Sequence, residues 1–195
     1  PVLKTAARLY NVLLLHFSVL ASIYFANPTH AGHLQKILPQ PQLKKIQRHY
    51  DYETAQRFNA WHQLLMQSQS KSDVEKLQLV NIFFNQMKWT EDKQLWNSDD
   101  YWATPIESLI RNAGDCEDFS IAKYFTLLEL GIPMEKLRVS YVKLIENNQA
   151  HMVLAYYEHT HADPLILDNM HKDILHGSER SDLAPMFHFN SLGVW

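Results

Sequence analysis

The sequence predicts an α+β domain in which helices come first and an antiparallel sheet follows. Three observations lead there. Apolar residues recur at helical spacing from Tyr50 to Met87. A further run of that period follows Gly114 and is stopped by Gly131-Ile132-Pro133. Beyond Pro133 the apolar residues fall in short stretches separated by turn-forming residues, which is strand behaviour. With 195 residues, 46% of them hydrophobic, and five glycines, the chain can fill one sizeable core and is too apolar for disorder. A formal net charge of −3 supplies no concentrated basic surface, which excludes a general nucleic-acid binder.

In chain order, Lys4 and Arg8 precede an apolar run from Val12 to Ala26, and the polar stretch Asn27-Pro28-Thr29-His30-Ala31-Gly32 follows. This is the layout of a secretory signal, with Thr29 and Ala31 offering the small residues of a cleavage site after Ala31. The run is about 15 residues long against the roughly 20 needed to span a bilayer, so a cleaved signal is favoured over a retained anchor. Residues 1–31 are thus expected to be an export segment, residues 32–195 the domain, and the bacterial periplasm the destination. The proline-punctuated stretch from Gln35 to Gln47 reads as a linker.

Tyr50, Phe58, Trp61, Leu64 and Leu65 predict a helix ending near Ser68, and Asp73 is expected to cap a second that carries Leu77, Val80, Phe83 and Phe84 to Met87. Trp61, Phe83, Phe84 and Trp89 are spaced like core. From Lys88 to Pro105 the chain reads as a long loop with a turn at Asn97-Ser98-Asp99-Asp100, and its Trp96 and Trp102 are candidates for lining a substrate cleft. Pro105 suits the first turn of a short helix reaching Arg111, broken by Asn112-Ala113-Gly114. Cys116 then opens the next helix, with Phe119, Ala122, Phe125, Leu127 and Leu128 on its apolar positions. Strands are expected at Arg138 to Ile145, Ala150 to Tyr157, Pro164 to Leu167 and Phe187 to Asn190. His159 and His161 lie two apart without an obvious third ligand and read as solvated turn residues rather than a zinc site.

Cys116 is the single cysteine, so no intramolecular disulfide forms and any thiol chemistry falls to it. A thiol attacks as its thiolate, and a helix N-terminus favours the anion through unpaired N–H groups and the positive end of the macrodipole. Its backbone N–H is also placed to supply half of an oxyanion hole. A base is required, and His151 stands out among eleven histidines because it opens a predicted strand directly after a polar turn. Asp168 closes the following strand; if the two strands are antiparallel neighbours, it can hold the imidazole in the required tautomer. Three carboxylates, Asp115, Glu117 and Asp118, flank the sulfur and work against its ionisation. They either complement the helix dipole or hold a calcium ion, for which Asp115 and Glu117 are the first ligands and Asp118 a third.

Together these residues carry a resemblance. Trp102-Ala103-Thr104-Pro105 with Glu107, then Gly114-Asp115-Cys116-Glu117-Asp118-Phe119, then Ala150-His151-Met152-Val153-Leu154, then Leu167-Asp168-Asn169 resemble the bacterial transglutaminase-like cysteine proteinases of the LapG type. The resemblance spans roughly residues 80 to 190. It implies a papain/transglutaminase-like fold, with the nucleophile helix packed on the sheet, and a Cys116-His151-Asp168 triad. It also implies a calcium-dependent periplasmic endopeptidase that cleaves the N-terminal region of a large surface adhesin and so promotes biofilm dispersal. The implied partner is an inner-membrane cyclic-di-GMP receptor of the LapD type, acting through its periplasmic domain. The residues alone leave two other readings open: transfer of the acyl group to an amine, as in transglutaminases, and a non-catalytic binding module.

Overall fold

A computed structural model describes residues 49–190 and 192–194. The export segment and the linker predicted for residues 1–31 and 35–47 lie outside the described residues. Among those described, no helix is long and apolar enough to cross a membrane.

Helix α1 (Tyr52–Ser68) starts where Asp51 accepts a hydrogen bond from the Thr54 backbone N–H at 2.7 Å, satisfying one of the N–H groups a helix start leaves open. Its inward face carries Ala55, Phe58, Trp61 and Leu65. Helix α2 (Asp73–Phe84) is capped by Ser72, not by the expected Asp73. The Ser72 hydroxyl and the Glu75 carboxylate satisfy each other's backbone N–H groups, a reciprocal box that the aspartate one position later could not form. Asp73 instead ties the start of α2 to the sheet, its Oδ2 accepting from Lys136 Nζ at 3.1 Å and from the Tyr156 hydroxyl at 2.8 Å.

The tract from Lys88 to Pro105 is more ordered than a loop. Strand β1 (Lys88–Trp89) and the short helix α3 (Asp92–Leu95) lie within it. Helix α4 (Pro105–Arg111) follows, boxed by Thr104 and Glu107 and ended by Asn112 in the left-handed region at φ 51°. Strand β2 (Ala113–Gly114) pairs in parallel with β1, Trp89 against Gly114. That pairing leaves Trp89 49% exposed, so it is not the core residue its spacing suggested, whereas Trp61 and Phe84 are buried and Phe83 half-buried. Helix α5 (Cys116–Glu129) buries Phe119, Ala122 and Leu127, and the chain leaves it through Gly131 at φ 83°, a conformation that suits a residue without Cβ.

Six antiparallel strands form the main sheet: β3 (Leu137–Leu144), β4 (Ala150–Tyr156), β5 (Leu165–Leu167), β6 (Leu175–His176), β7 (Leu183–Asn190) and β8 (Gly193–Val194), in the order β6-β5-β4-β3-β7-β8. The fold is thus mixed helix and antiparallel sheet, as expected. Strand β7 starts four residues before the expected Phe187, at Leu183. Pro185 hid that start, because a proline argues against a strand interior. The sheet accommodates it at an irregularity in the β3–β7 register between Tyr141 and Val142. His159 and His161 are exposed on the turn after β4.

Candidate active site and its acidic neighbour

The register of β4 against β5 pairs Leu154 with Leu167, which sets His151 and Asp168 close together near the ends of these strands. His151 Nε2 lies 2.9 Å from Asp168 Oδ1, with both side chains buried. Asp168 Oδ1 also accepts the Met170 N–H at 2.9 Å, and its Oδ2 accepts Arg180 Nη2 at 2.8 Å. Burial opposes the charge on Asp168, but the bonds from His151, Met170 and Arg180 outweigh it and hold the carboxyl below the usual carboxylate range. The Asp168 backbone carbonyl is held in turn by Asn85, just past α2, at 2.9 Å.

Cys116 is the first residue of α5 and is half-buried. Burial pushes its thiol well up, and the Glu117 carboxylate adds to the effect by Coulomb repulsion and by accepting from Sγ at 3.1 Å; Asp115 pushes the same way. One group opposes them. The backbone N–H of Met152, the residue after His151, pulls the thiol the other way, towards its anion. Helix α5, opened by Cys116, packs against β4, the strand that carries His151. The first-turn N–H groups of α5, that of Cys116 included, have no acceptor within the helix.

The acidic residues divide into two groups. Asp92, Asp115 and Asp118 bring one carboxylate oxygen each within 4.8 Å of one another, as do Asp92, Asp100 and Glu117. Asp115 and Glu117, the first ligands expected from the sequence, thus fall in different groups, and Asp118 joins Asp115. The cause is helical geometry: Asp115, at the helix start, stands three positions from Asp118, whereas Glu117 projects about 100° away from its helical neighbour. Asp92 and Asp100 were not singled out from the sequence, because the tract that carries them has the composition of a solvated loop. Asp92 is in fact 5% exposed and accepts the Tyr101 backbone N–H. Asp118 is fully buried and accepts the Ala103 N–H at 2.7 Å. Among the described residues, Asp92 Oδ1, Asp115 Oδ1 and Asp118 Oδ2 are buried carboxylate oxygens without a hydrogen-bond partner. Burial and then repulsion from neighbouring carboxylates, Glu117 foremost, push all three carboxyls up, that of Asp118 to about 7. Three carboxylates grouped at one place, each with an orphaned oxygen, suit a hard divalent cation.

The two candidate cleft tryptophans part company. Trp96 packs its own segment, its ring 4.6 Å from that of Tyr101 and under the Arg111 guanidinium at 5.0 Å. Trp102 sits beside Ala103, and hence beside the start of α5, with its ring 6.1 Å from that of Phe189. From there an aromatic row runs through Phe187 to Tyr141, which lies opposite Met152 in the β3–β4 register.

Residues 46–181 match the family model described as bacterial transglutaminase-like cysteine proteinase. This chain belongs to that family. The proteinase also superposes on solved structures of LapG from Legionella pneumophila. The calcium-bound form matches with a TM-score of 0.73 and 42% identity, over 80% of this chain and 86% of that one. The EGTA-treated form gives the same score and identity over 80% and 83%. No curated protein matches the proteinase. The fold is therefore the transglutaminase-like papain fold, and the protein class is that of cysteine proteinases.

Proposed function

We propose that this proteinase is a calcium-dependent endopeptidase in which Cys116, His151 and Asp168 carry the reaction. The observation that supports the assignment most directly is the 2.9 Å bond from His151 Nε2 to Asp168 Oδ1, buried on the strand packed against the helix that Cys116 opens. Because Nε2 is committed to Asp168, Nδ1 is the nitrogen that takes the thiol proton. The thiolate adds to the scissile carbonyl, the oxyanion is met by the Cys116 N–H, and His151 returns the proton to the leaving amine. Water then adds to the thioester with His151 as base, restoring the thiol. Trp102 lines the substrate cleft.

Asp92, Asp115 and Asp118 would hold the calcium, with Glu117 and Asp100 beside them. The bound ion supplies positive charge that offsets the carboxylates pressing on the sulfur. The LapG structures, one calcium-bound and one EGTA-treated, support this reading at 42% identity. By the same kinship the substrate is the N-terminal region of a large surface adhesin, whose release disperses biofilm. The site of action is the periplasm, and a LapD-type cyclic-di-GMP receptor in the inner membrane sequesters the proteinase. The experiment is incubation of the purified protein with a recombinant N-terminal adhesin fragment, in calcium and in EGTA, followed by N-terminal sequencing of the products. A single cut in calcium and none in EGTA or with Cys116→Ala is expected; an intact fragment in all three removes the adhesin as substrate.

A further inference from the structure

Asp168 is 1% exposed, and a carboxylate so placed needs partners on both oxygens to stay charged and to stay oriented. Its Oδ1 is shared by His151 and the Met170 N–H, whereas Oδ2 is met by Arg180 Nη2 at 2.8 Å. Arg180 is itself 4% exposed and is gripped from its other side by Asp182. Its Nε donates to Asp182 Oδ1 at 2.9 Å, and its Nη2 to Asp182 Oδ2 at 2.8 Å. Nη2 is thus shared between two carboxylates, and only a planar fork with several fixed donors can serve both in this way; a lysine ammonium lacks that geometry.

We propose that Arg180, braced by Asp182, is a positioning residue for the reaction: it fixes the plane and charge of the Asp168 carboxylate and, through it, the tautomer and orientation of His151. The proposal rests on the assignment of His151 and Asp168 given above. Its physical content is the chain His151, Asp168, Arg180, Asp182, in which each member limits the rotation of the one before. With Oδ2 unpartnered, the Asp168 carboxylate would be free to turn about its own axis, held only by bonds at the other oxygen. Burial would also raise its affinity for a proton, and a protonated Asp168 no longer anchors the Nε2–H of the imidazole. The side-chain hydrogen bonds of Arg180 go to Asp168 and Asp182, so it acts on His151 through this chain. The anchor reaches the site from the segment between β6 and β7, where the Leu183 N–H bonds the Arg180 carbonyl at 3.1 Å as β7 begins.

The test compares Arg180→Met, Arg180→Lys and Asp182→Asn in the full protein with calcium present. Three quantities are read: kcat and KM on the adhesin fragment, the rate of Cys116 alkylation by iodoacetamide at fixed pH, and the proton NMR signal of the imidazole N–H bonded to Asp168. Arg180→Met is expected to lower kcat and the alkylation rate roughly 10- to 100-fold with KM nearly unchanged, and to abolish the downfield signal. Arg180→Lys should recover part of both rates. The Asp182 side chain is 54% exposed, so Asp182→Asn folds even if Arg180→Met does not; a several-fold fall in both rates at unchanged KM is expected. Wild-type rates with an intact downfield signal in folded Arg180→Met or, failing its folding, in Asp182→Asn overturn the proposal. An uncut adhesin fragment with wild-type protein refutes the substrate instead, while alkylation and NMR still judge Arg180. Full alkylation in Asp168→Asn refutes the underlying triad.

Discussion

Gly114 has no side chain because Asp118 occupies the space one would need. A Cβ there would stand 2.6 Å from Asp118 Cβ and 2.7 Å from its Oδ2, closer than real contacts of this kind come. One of the two must move, and Gly114 is pinned by its pairing with Trp89 and by its carbonyl, which accepts the Thr90 N–H at 2.9 Å. Gly114→Ala is therefore expected to displace Asp118, to weaken calcium binding several-fold by titration calorimetry, and to cost about 1–3 kcal/mol of stability by chemical denaturation. Unchanged calcium affinity in that variant would count against Asp118 as a ligand. Cys116 is different in kind: it is half-buried, and truncation to alanine removes only its sulfur. Cys116→Ala should abolish proteolysis while leaving the melting temperature within about 2 °C of wild type, since the substitution also relieves the contact with Glu117.

Helix α5 opens with Cys116 and is anchored farther along by a buried hydrogen bond from Trp61 Nε1 to Thr126 Oγ1, at 3.0 Å. Thr126→Val keeps the volume but leaves the indole N–H without its partner, so a loss of about 1–3 kcal/mol is expected in urea unfolding, with the cleavage rate nearly unchanged. A loss below about 0.5 kcal/mol would mean that another acceptor takes the proton. This helix was legible in the sequence because its cues are local: Gly114 and Cys116 at one end, Gly131 and Pro133 at the other, with apolar residues at helical spacing between. His151 and Asp168 were legible for a similar reason, each lying at a strand end next to a turn. What was not legible was nonlocal. The pairing of β1 with β2 is two residues long on each side and leaves no alternating pattern. Strand β7 hid behind Pro185, and Asp92 and Arg180 give no local signal because their roles come from partners far along the chain. Asp92 meets Asp115 and Asp118, and Arg180 meets Asp168, across turns whose geometry no spacing rule encodes.

Across the whole molecule, the buried acidic group is expected to couple folding to both protons and calcium. Asp92, Asp115 and Asp118 have carboxyls raised by burial and by neighbouring carboxylates, Glu117 foremost, whereas in the unfolded chain they titrate near the ordinary value of about 3.9. Without a cation, the native state keeps protons that the unfolded state has already lost as pH rises above about 4, so its stability falls as pH climbs through about 7. Asp168, Asp163 and Asp182 have lowered carboxyls and act in the opposite sense, but only at acid pH, where they are being protonated. Lys123 and His188, both lowered by burial, and Glu129, raised by burial, do contribute between pH 5 and 8. They contribute equally with and without calcium, so the difference between the two conditions isolates the acidic group. Calcium held by these carboxylates would displace the protons and bind only the folded arrangement, adding about 2.7 kcal/mol at a hundredfold excess over Kd. For a domain of this size that corresponds to roughly 5–10 °C in melting temperature. The expected outcome is a gap between melting curves in calcium and in EGTA that widens from pH 5 to pH 8, with proton release on calcium addition largest where Asp118 is still protonated, below about pH 7. A gap that stays constant, or narrows as pH rises, would place the ion away from these three carboxylates.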